Sequence, residues 1–434
     1  MSPPMIGGLG ILALLVLLLM RVPVWTSMML VGGIGNLLVA GPSATMLFVG
    51  TTPFDVSSSY TLSVLPLFVL MGDVATNSRL SAELFKAARI FMSGFRGGLS
   101  LATIGASACF GAVCGSSIAT AATITRIALP EMRRAGYHDS LATGSIAAGG
   151  SLGILIPPSI ILVIYAAISE QSVPKLFAAG LIPGIVLTVL YSLIALAVVL
   201  VVPEYAPTEP SLPMRQRFAA LAGPWQFMTL FVVTIGGIYM GIFSPTEAAA
   251  IGALGVIVLG FLGRRLSVRD LIRSLESTVL TSCMLFMIII AATLFSVFVV
   301  QTHLPEVLAE TALAMNMPGT LVMTLIVVTY ILMGCVLEGI GMMLITVPVF
   351  LPLVVHYGYD PVWFGVIVVI VVEVGLMNPP VGMNLFVIQA QAPDVRLRNI
   401  YLGILPFLIA PVILIGLLFL FPQIALWFPT WLYG

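Results

Sequence analysis

Eight apolar runs with almost no charge constrain this chain more than any other feature: residues 5–20, 22–41, 61–76, 177–202, 224–243, 247–263, 279–301 and 400–422. A bilayer core about 30 Å thick takes roughly 20 apolar residues of helix to cross. Backbone in lipid must satisfy its own hydrogen bonds, so runs of this kind cross as helices. A water-facing surface is out of reach too, because 17 basic and 17 acidic residues are all the charge that 434 residues carry. The charged share is 8%, against roughly 25% in a soluble domain. The sequence therefore predicts an all-α polytopic membrane protein. The balanced charge leaves no cationic surface for nucleic acid. No basic residue precedes the first run and Arg21 follows it, which predicts a retained span and not a cleaved signal peptide.

Cys109, Cys114, Cys283 and Cys335 lie inside apolar runs without a CxxC pair and read as packing residues. His138, His303 and His356 are far apart in sequence, so neither a metal site nor a nucleophile–His pair has support. No catalytic residue, and no enzyme, is expected. Two amphipathic stretches, 79–95 with Arg79, Lys86 and Arg89, and 264–277 with Arg264, Arg265, Arg269 and Arg273, predict helices lying in the membrane interface. A polar loop at 203–217, which includes Glu204 and Glu209, splits the chain near its middle.

The segment from Gly97 to Leu129 is apolar, but Arg96 precedes it and Arg133 and Arg134 follow it. Basic residues mark the cytoplasmic side, so both ends lie on one face. The run is shorter than the roughly 40 residues that two crossings and a turn require. A re-entrant helical hairpin fits, with Gly115-Ser116-Ser117 at its tip. Adding 222 to first-half positions matches Leu129 with Leu351, Pro130 with Pro352, Gly136 with Gly358 and Tyr137 with Tyr359. It also matches Gly153 with Gly375, Pro157 with Pro379 and Pro158 with Pro380. The first copy is ringed by Arg96, Arg126, Arg133 and Arg134, whereas Ser274 to Val395 contains no Lys or Arg. The second hairpin, about Pro318 to Val355 with its tip at Leu337-Glu338-Gly339-Ile340-Gly341, is thus expected to enter from the opposite side. Inverted repeats with interrupted helices in matching places mark secondary transporters. Counting from a cytoplasmic Arg21 gives ten spans, two hairpins and both termini outside.

A prolyl pair in mid-membrane removes two donors and stops the helix. The breaks at Gly153 to Ser159 and Gly375 to Gly382 therefore free carbonyls, which lipid tolerates only when they are buried or face water. Carbonyl ends suit Na⁺ and helix N-termini suit a carboxylate. The bland alternative is that each pair only kinks a packed helix. Thr120 and Thr123 share a helical face after the first tip; they line a pocket or bond back to their own helix. Glu338 and Glu373 lie in apolar surroundings with no Lys or Arg nearby in sequence. An unanswered charge there costs at least about 2.5 kcal/mol, so cation binding, proton carriage or a neutral hydrogen-bonded brace must answer it. Asn378 and Asn384 add amide oxygens of the type hard cations accept.

The run Gly115-Ser116-Ser117-Ile118-Ala119-Thr120-Ala121-Ala122, the break Ile156-Pro157-Pro158-Ser159, the run Thr346-Val347-Pro348-Val349-Phe350-Leu351-Pro352 and the stretch from Glu373 to Asn384 together resemble the DctM-like large membrane subunit of tripartite ATP-independent periplasmic (TRAP) transporters. The resemblance covers essentially the full length, and it places the chain in an ion-transporter superfamily built from a scaffold and a mobile transport domain. It implies uptake of an organic acid across the bacterial inner membrane, driven by Na⁺ and not by ATP. Delivery would come from a soluble periplasmic binding protein, with a small four-helix membrane subunit clamping the scaffold in the lipid. It implies Na⁺ sites at Ser116, Ser117, Gly153, Ile156 and Pro157, and at Glu338, Gly339, Gly375, Asn378 and Pro379. The substrate would sit near Ser117, Thr120, Thr123, Asn378 and Asn384, with Glu373 a further intramembrane acid. Relatives more usually carry Asp where Glu338 stands, and many carry Thr at the position of Asn378. With the repeat positions, the resemblance gives scaffold helices at 1–78 and 174–263, an interfacial arm with the first transport repeat at 79–173 (hairpin 97–130, broken helix 140–169), an arm with the second at 264–395 (hairpin 318–355, broken helix 362–390) and a C-terminal transmembrane helix in 396–434. A single-component Na⁺- or H⁺-coupled carboxylate carrier of the same superfamily is the alternative.

Overall fold

The computed structural model describes every residue except Met1, Arg79, Glu209, Cys335, Val336, Pro380 and Val381. Expectations placed on Arg79, Glu209, Cys335 and on Pro380 and Val381 of the second break thus lie outside the described residues. The chain runs through α1 (Pro3–Leu19), α2 (Val24–Val39), α3 (Gly41–Ser57), α4 (Val64–Asn77) and α5 (Leu80–Phe91). A helical pair follows, α6 (Gly98–Cys114) and α7 (Ser117–Arg134), then a broken pair, α8 (Asp139–Ser151) and α9 (Ile160–Ser169). The middle comprises α10 (Val173–Val201), α11 (Met214–Ala220), α12 (Trp225–Phe231), α13 (Gly237–Tyr239), α14 (Pro245–Leu262), α15 (Val268–Gln301) and α16 (Leu304–Ala314). A second pair, α17 (Gly319–Gly334) and α18 (Gly339–His356), precedes a second broken pair, α19 (Pro361–Met377) and α20 (Met383–Gln391). Then come α21 (Leu397–Ile404), α22 (Ile409–Leu420) and α23 (Gln423–Tyr433).

Among the described residues, α10, α14, α15, α18 and the segment Leu397–Leu420 are long and apolar enough to cross a membrane, and α11 with α12 and α13 forms a further candidate bent by 52°. Three elements depart from the sequence reading. The expected interfacial helix at 264–277 and span at 279–301 are largely one helix, α15. Ser267 and Asp270 close a capping box at its start, and no Gly or Pro interrupts it before Gln301. Helix α3 was not expected as an element, because Pro53, Asp55 and its threonines dilute the apolar signal. The loop at 203–217 ends in α11, where Arg217 donates to the Phe91 carbonyl at 2.7 Å and lies 4.9 Å from the centre of the Phe95 ring. A buried guanidinium so placed docks this segment onto α5 by hydrogen bonding and cation–π attraction.

The 222-residue offset recurs in the helix boundaries. It carries Ser117 and Arg134 of α7 onto Gly339 and His356 of α18, Asp139 of α8 onto Pro361 of α19, and Ser169 of α9 onto Gln391 of α20. His138 and Asp360, also 222 apart, each cap the helix that follows by accepting from backbone N–H groups. The matched glycines now have reasons. Gly136 and Gly358 take φ of 81° and 77° in the turns before those caps, a region costly for other residues. Gly153 meets Gly111 of α6, and Gly375 meets Gly334 of α17, at distances that leave no room for a side chain.

At the base of the first pair, Glu131 binds Arg89 of α5 and also Arg134, at 2.8 Å. Arg133 binds Asp139 at 2.8 Å and also Asp394, which follows α20. Glu131 and Arg133 thus tie the base of the first pair to α5, to α8 and to the segment after the second broken pair.

Candidate functional site

Each helical pair meets its broken partner at the tip. Helix α6 ends at Gly115, with φ of 63°, and Ser116 caps α7 by accepting from Ala119 N–H at 3.4 Å. A Cβ on Gly115 would stand 2.8 Å from the Pro158 carbonyl oxygen, so only glycine lets the tip approach the break. Gly153 faces Thr120 and the Ser116 carbonyl from the other side. The break is a short 3₁₀ turn, Leu152–Ile154, followed by the cis Pro157–Pro158 bond. Pro158 has no N–H to offer the Ile154 carbonyl, and the Ser159 hydroxyl donates to it at 2.5 Å instead. One carbonyl that the prolines free of its helical partner is therefore answered by a side chain within the break.

At the second tip, Glu338 precedes α18 and Gly339 packs against Val372 of α19. Helix α19 ends where Asn378 turns extended, and α20 restarts after Gly382, whose φ is 38°. The two halves are joined across the offset: Asn384 of α20 donates to the Ser117 hydroxyl at 2.6 Å. Both residues are buried, and the Asn384 Oδ1 has no partner among the described residues.

A cavity of about 360 Å³ gathers these parts. Its walls include Gly115, Ser116 and Ser117 of the first tip, Glu338, Gly339 and Ile340 of the second, Ile154 and Ile160 flanking the first break, and Leu376 before the second. Of the predicted residues, Ser116, Ser117, Glu338 and Gly339 line it. Gly153, Ile156, Pro157, Gly375, Asn378, Pro379, Thr120, Thr123 and Asn384 are not among its lining residues. Thr120 bonds back to the Ser116 carbonyl at 2.7 Å, the local alternative left open by the sequence, while the buried Thr123 hydroxyl has no partner among the described residues. Asp73 and Thr281 line the cavity too, and sequence reasoning missed both. Asp73 carried a usable signal, an acid alone in the apolar run 61–76, which is the test that singled out Glu338 and Glu373.

Glu373 lies away from that lining. It is fully buried, and its Oε1 accepts from the Tyr191 hydroxyl of α10 at 3.3 Å. The same hydroxyl is 3.3 Å from Ser151 Oγ. Ser151 and Glu373 are 222 apart, so equivalent positions of the two broken pairs meet on one tyrosine.

The family model described as "Tripartite ATP-independent periplasmic transporter, DctM component" matches residues 11–424. The C4-dicarboxylate TRAP transporter large permease protein DctM of Pseudomonas aeruginosa is 34% identical over 382 residues, covering 87% of this chain and 88% of that protein. The ectoine TRAP transporter large permease protein TeaC of Halomonas elongata is 34% identical over 367 residues, covering 84% and 85%. Among solved structures, the YdaH transporter of Alcanivorax borkumensis superposes with a TM-score of 0.62 at 16% identity, covering 88% of this chain and 90% of that one. At that identity the likeness carries the fold alone.

Proposed function

Because the chain belongs to the DctM family of tripartite ATP-independent periplasmic transporters, we propose that it is the large permease subunit for Na⁺-coupled uptake of an organic acid. It is a multi-pass inner-membrane protein and a permease, not an enzyme. DctM components work in secondary transport of small polar solutes with a periplasmic binding protein and a small membrane subunit. The carboxylate substrate, the Na⁺ coupling and the elevator motion are our reading.

The observation that carries it is the single cavity walled by both tips and by residues beside both breaks. In this reading the two halves are inverted repeats with re-entrant hairpins: the hairpins 97–130 and 318–355 with the broken helices 140–169 and 362–390 form the moving part, against a scaffold of 1–78 and 174–263 with the interfacial arms. Na⁺ binds at Ser116, Ser117 and Gly153 to Pro157, and at Glu338, Gly339 and Gly375 to Pro379, while first-turn N–H groups receive the carboxylate. Coupling requires that the tips close only over a loaded site, since a ligand shifts a conformational equilibrium only by its differential affinity. The test is uptake into proteoliposomes that hold this chain with its small subunit and binding protein. Accumulation against the solute gradient is expected only with an inward Na⁺ gradient, and Glu338→Ala and Ser116→Ala should each raise the Na⁺ concentration for half-maximal uptake about tenfold. Downhill equilibration alone would sink the coupling, and an unchanged Na⁺ dependence in both folded variants would sink the tip sites.

A further inference from the structure

Resting on that reading, we infer that the transported organic acid also carries a cationic nitrogen, so that the solute is a zwitterion whose positive end is read by Asp73 across from Glu338. A second cavity, of about 670 Å³, lies along the same seam as the first. Both are walled by α15 on one side and by α9 and α18 on the other; the first also takes α4, whereas the second takes Asp55 and Val56 of α3 and Ser59, Thr61 and Leu62 ahead of α4. On α15 the first takes Thr281 to Leu285 and the second Ile289 to Val297, which at 1.5 Å rise per residue puts them about 15 Å apart. Buried Leu65, Phe68, Val163, Ile288 and Met343 fall between the two linings on those same helices or beside them. The two cavities are successive stations on one path.

The charge on that path has one sign. Asp73 and Glu338 line the first cavity, Asp55 and Glu170 the second, and neither lining includes a Lys, Arg or His among the described residues. A dianion would meet like charge at Asp73, Asp55 and Glu170, none of them among the proposed Na⁺ ligands. Helix N-termini supply the complement: the first turns of α7 and α18 line the first cavity at Ser117 and Gly339, where the positive end of the helix dipole favours one carboxylate. Asp73 is separate from the proposed Na⁺ sites, because it stands on α4, outside both repeats, where Thr278 of α15 donates to it at 3.5 Å. Its carboxylate is therefore left for the solute. A molecule with a carboxylate at one end and an ammonium or amidinium at the other satisfies both features of the cavity at once.

The test compares three probes on one carbon chain, γ-aminobutyrate, glutarate and butyrate, by thermal stabilisation of the purified full-length protein at fixed Na⁺. γ-Aminobutyrate is expected to stabilise at about a tenfold lower concentration than glutarate or butyrate, and Asp73→Asn to erase that preference. Thr281→Lys, which sets an ammonium in the same cavity, should reverse it toward glutarate. Equal or stronger stabilisation by glutarate, no stabilisation by γ-aminobutyrate, or a preference unchanged in both variants overturns the inference. Stabilisation by Na⁺ without solute reads the coupling separately. Its absence beside an intact zwitterion preference would count against Na⁺ and leave this inference standing, and the reverse result would do the opposite.

Discussion

At Gly111 a single methyl group is enough to part the first helical pair from its break. A Cβ there would stand 2.5 Å from Gly153 Cα and 2.9 Å from the Gly153 nitrogen. Overfilling so close a contact costs about 1–3 kcal/mol. Gly105, on α6 as well, has open space around it. Gly111→Ala should therefore lower the melting temperature of the purified protein by about 2 °C or more, while Gly105→Ala does not lower it; indistinguishable melting curves would contradict the close crossing. Glu373 makes a second test at this scale. Glu373→Gln keeps an acceptor for the Tyr191 hydroxyl in nearly the same volume, whereas Glu373→Ala leaves that hydroxyl and a void facing each other at a cost of about 2–4 kcal/mol. Thermal melts should rank wild type and Gln together and Ala well below. A reversed order would mean that Glu373 does more than brace α19 against α10.

Between elements, the ion pairs of Arg133 hold α7 to the segment after α20. The guanidinium holds the Asp394 carboxyl below the usual carboxylate range. A lowered carboxylate contributes its link fully above the unfolded value of about 3.9 and loses it as the pH falls through the lower folded value. The segment 392–396 should thus keep its protection from hydrogen exchange at neutral pH and lose it below about pH 4. Asp394→Asn should show the exposed pattern at neutral pH already, and equal protection in both proteins would discount the pair. Much of this scale was legible in the sequence. Pro-Pro pairs stop helices wherever they stand, and the repeated Gly136 and Gly358 announced turns that the structure places at positive φ. The merger of the Arg-rich stretch 264–277 into α15 was not legible, since amphipathic and fully apolar patterns differ in what they face and not in whether the helix continues. Nor was the answer of Ser159 to Ile154, which depends on a side-chain rotamer that no spacing encodes.

For the whole molecule, family and fold followed from four motifs in order, while the site was only half visible. Ser116, Ser117 and Glu338, which line the cavity, were singled out because tips and lone acids stand out. Asp73 was passed over although it too is a lone acid in an apolar run, because it stands on a helix outside the repeats and joins them only in three dimensions. Helix α15 runs unbroken for 34 residues, about 50 Å of rise, with no proline or glycine at which a helix ordinarily bends. Both cavities rest against it. A rod without a hinge cannot open one mouth and shut the other by flexing, so in the proposed elevator α15 serves as the rail along whose length the opposite wall carries the solute from one station to the next.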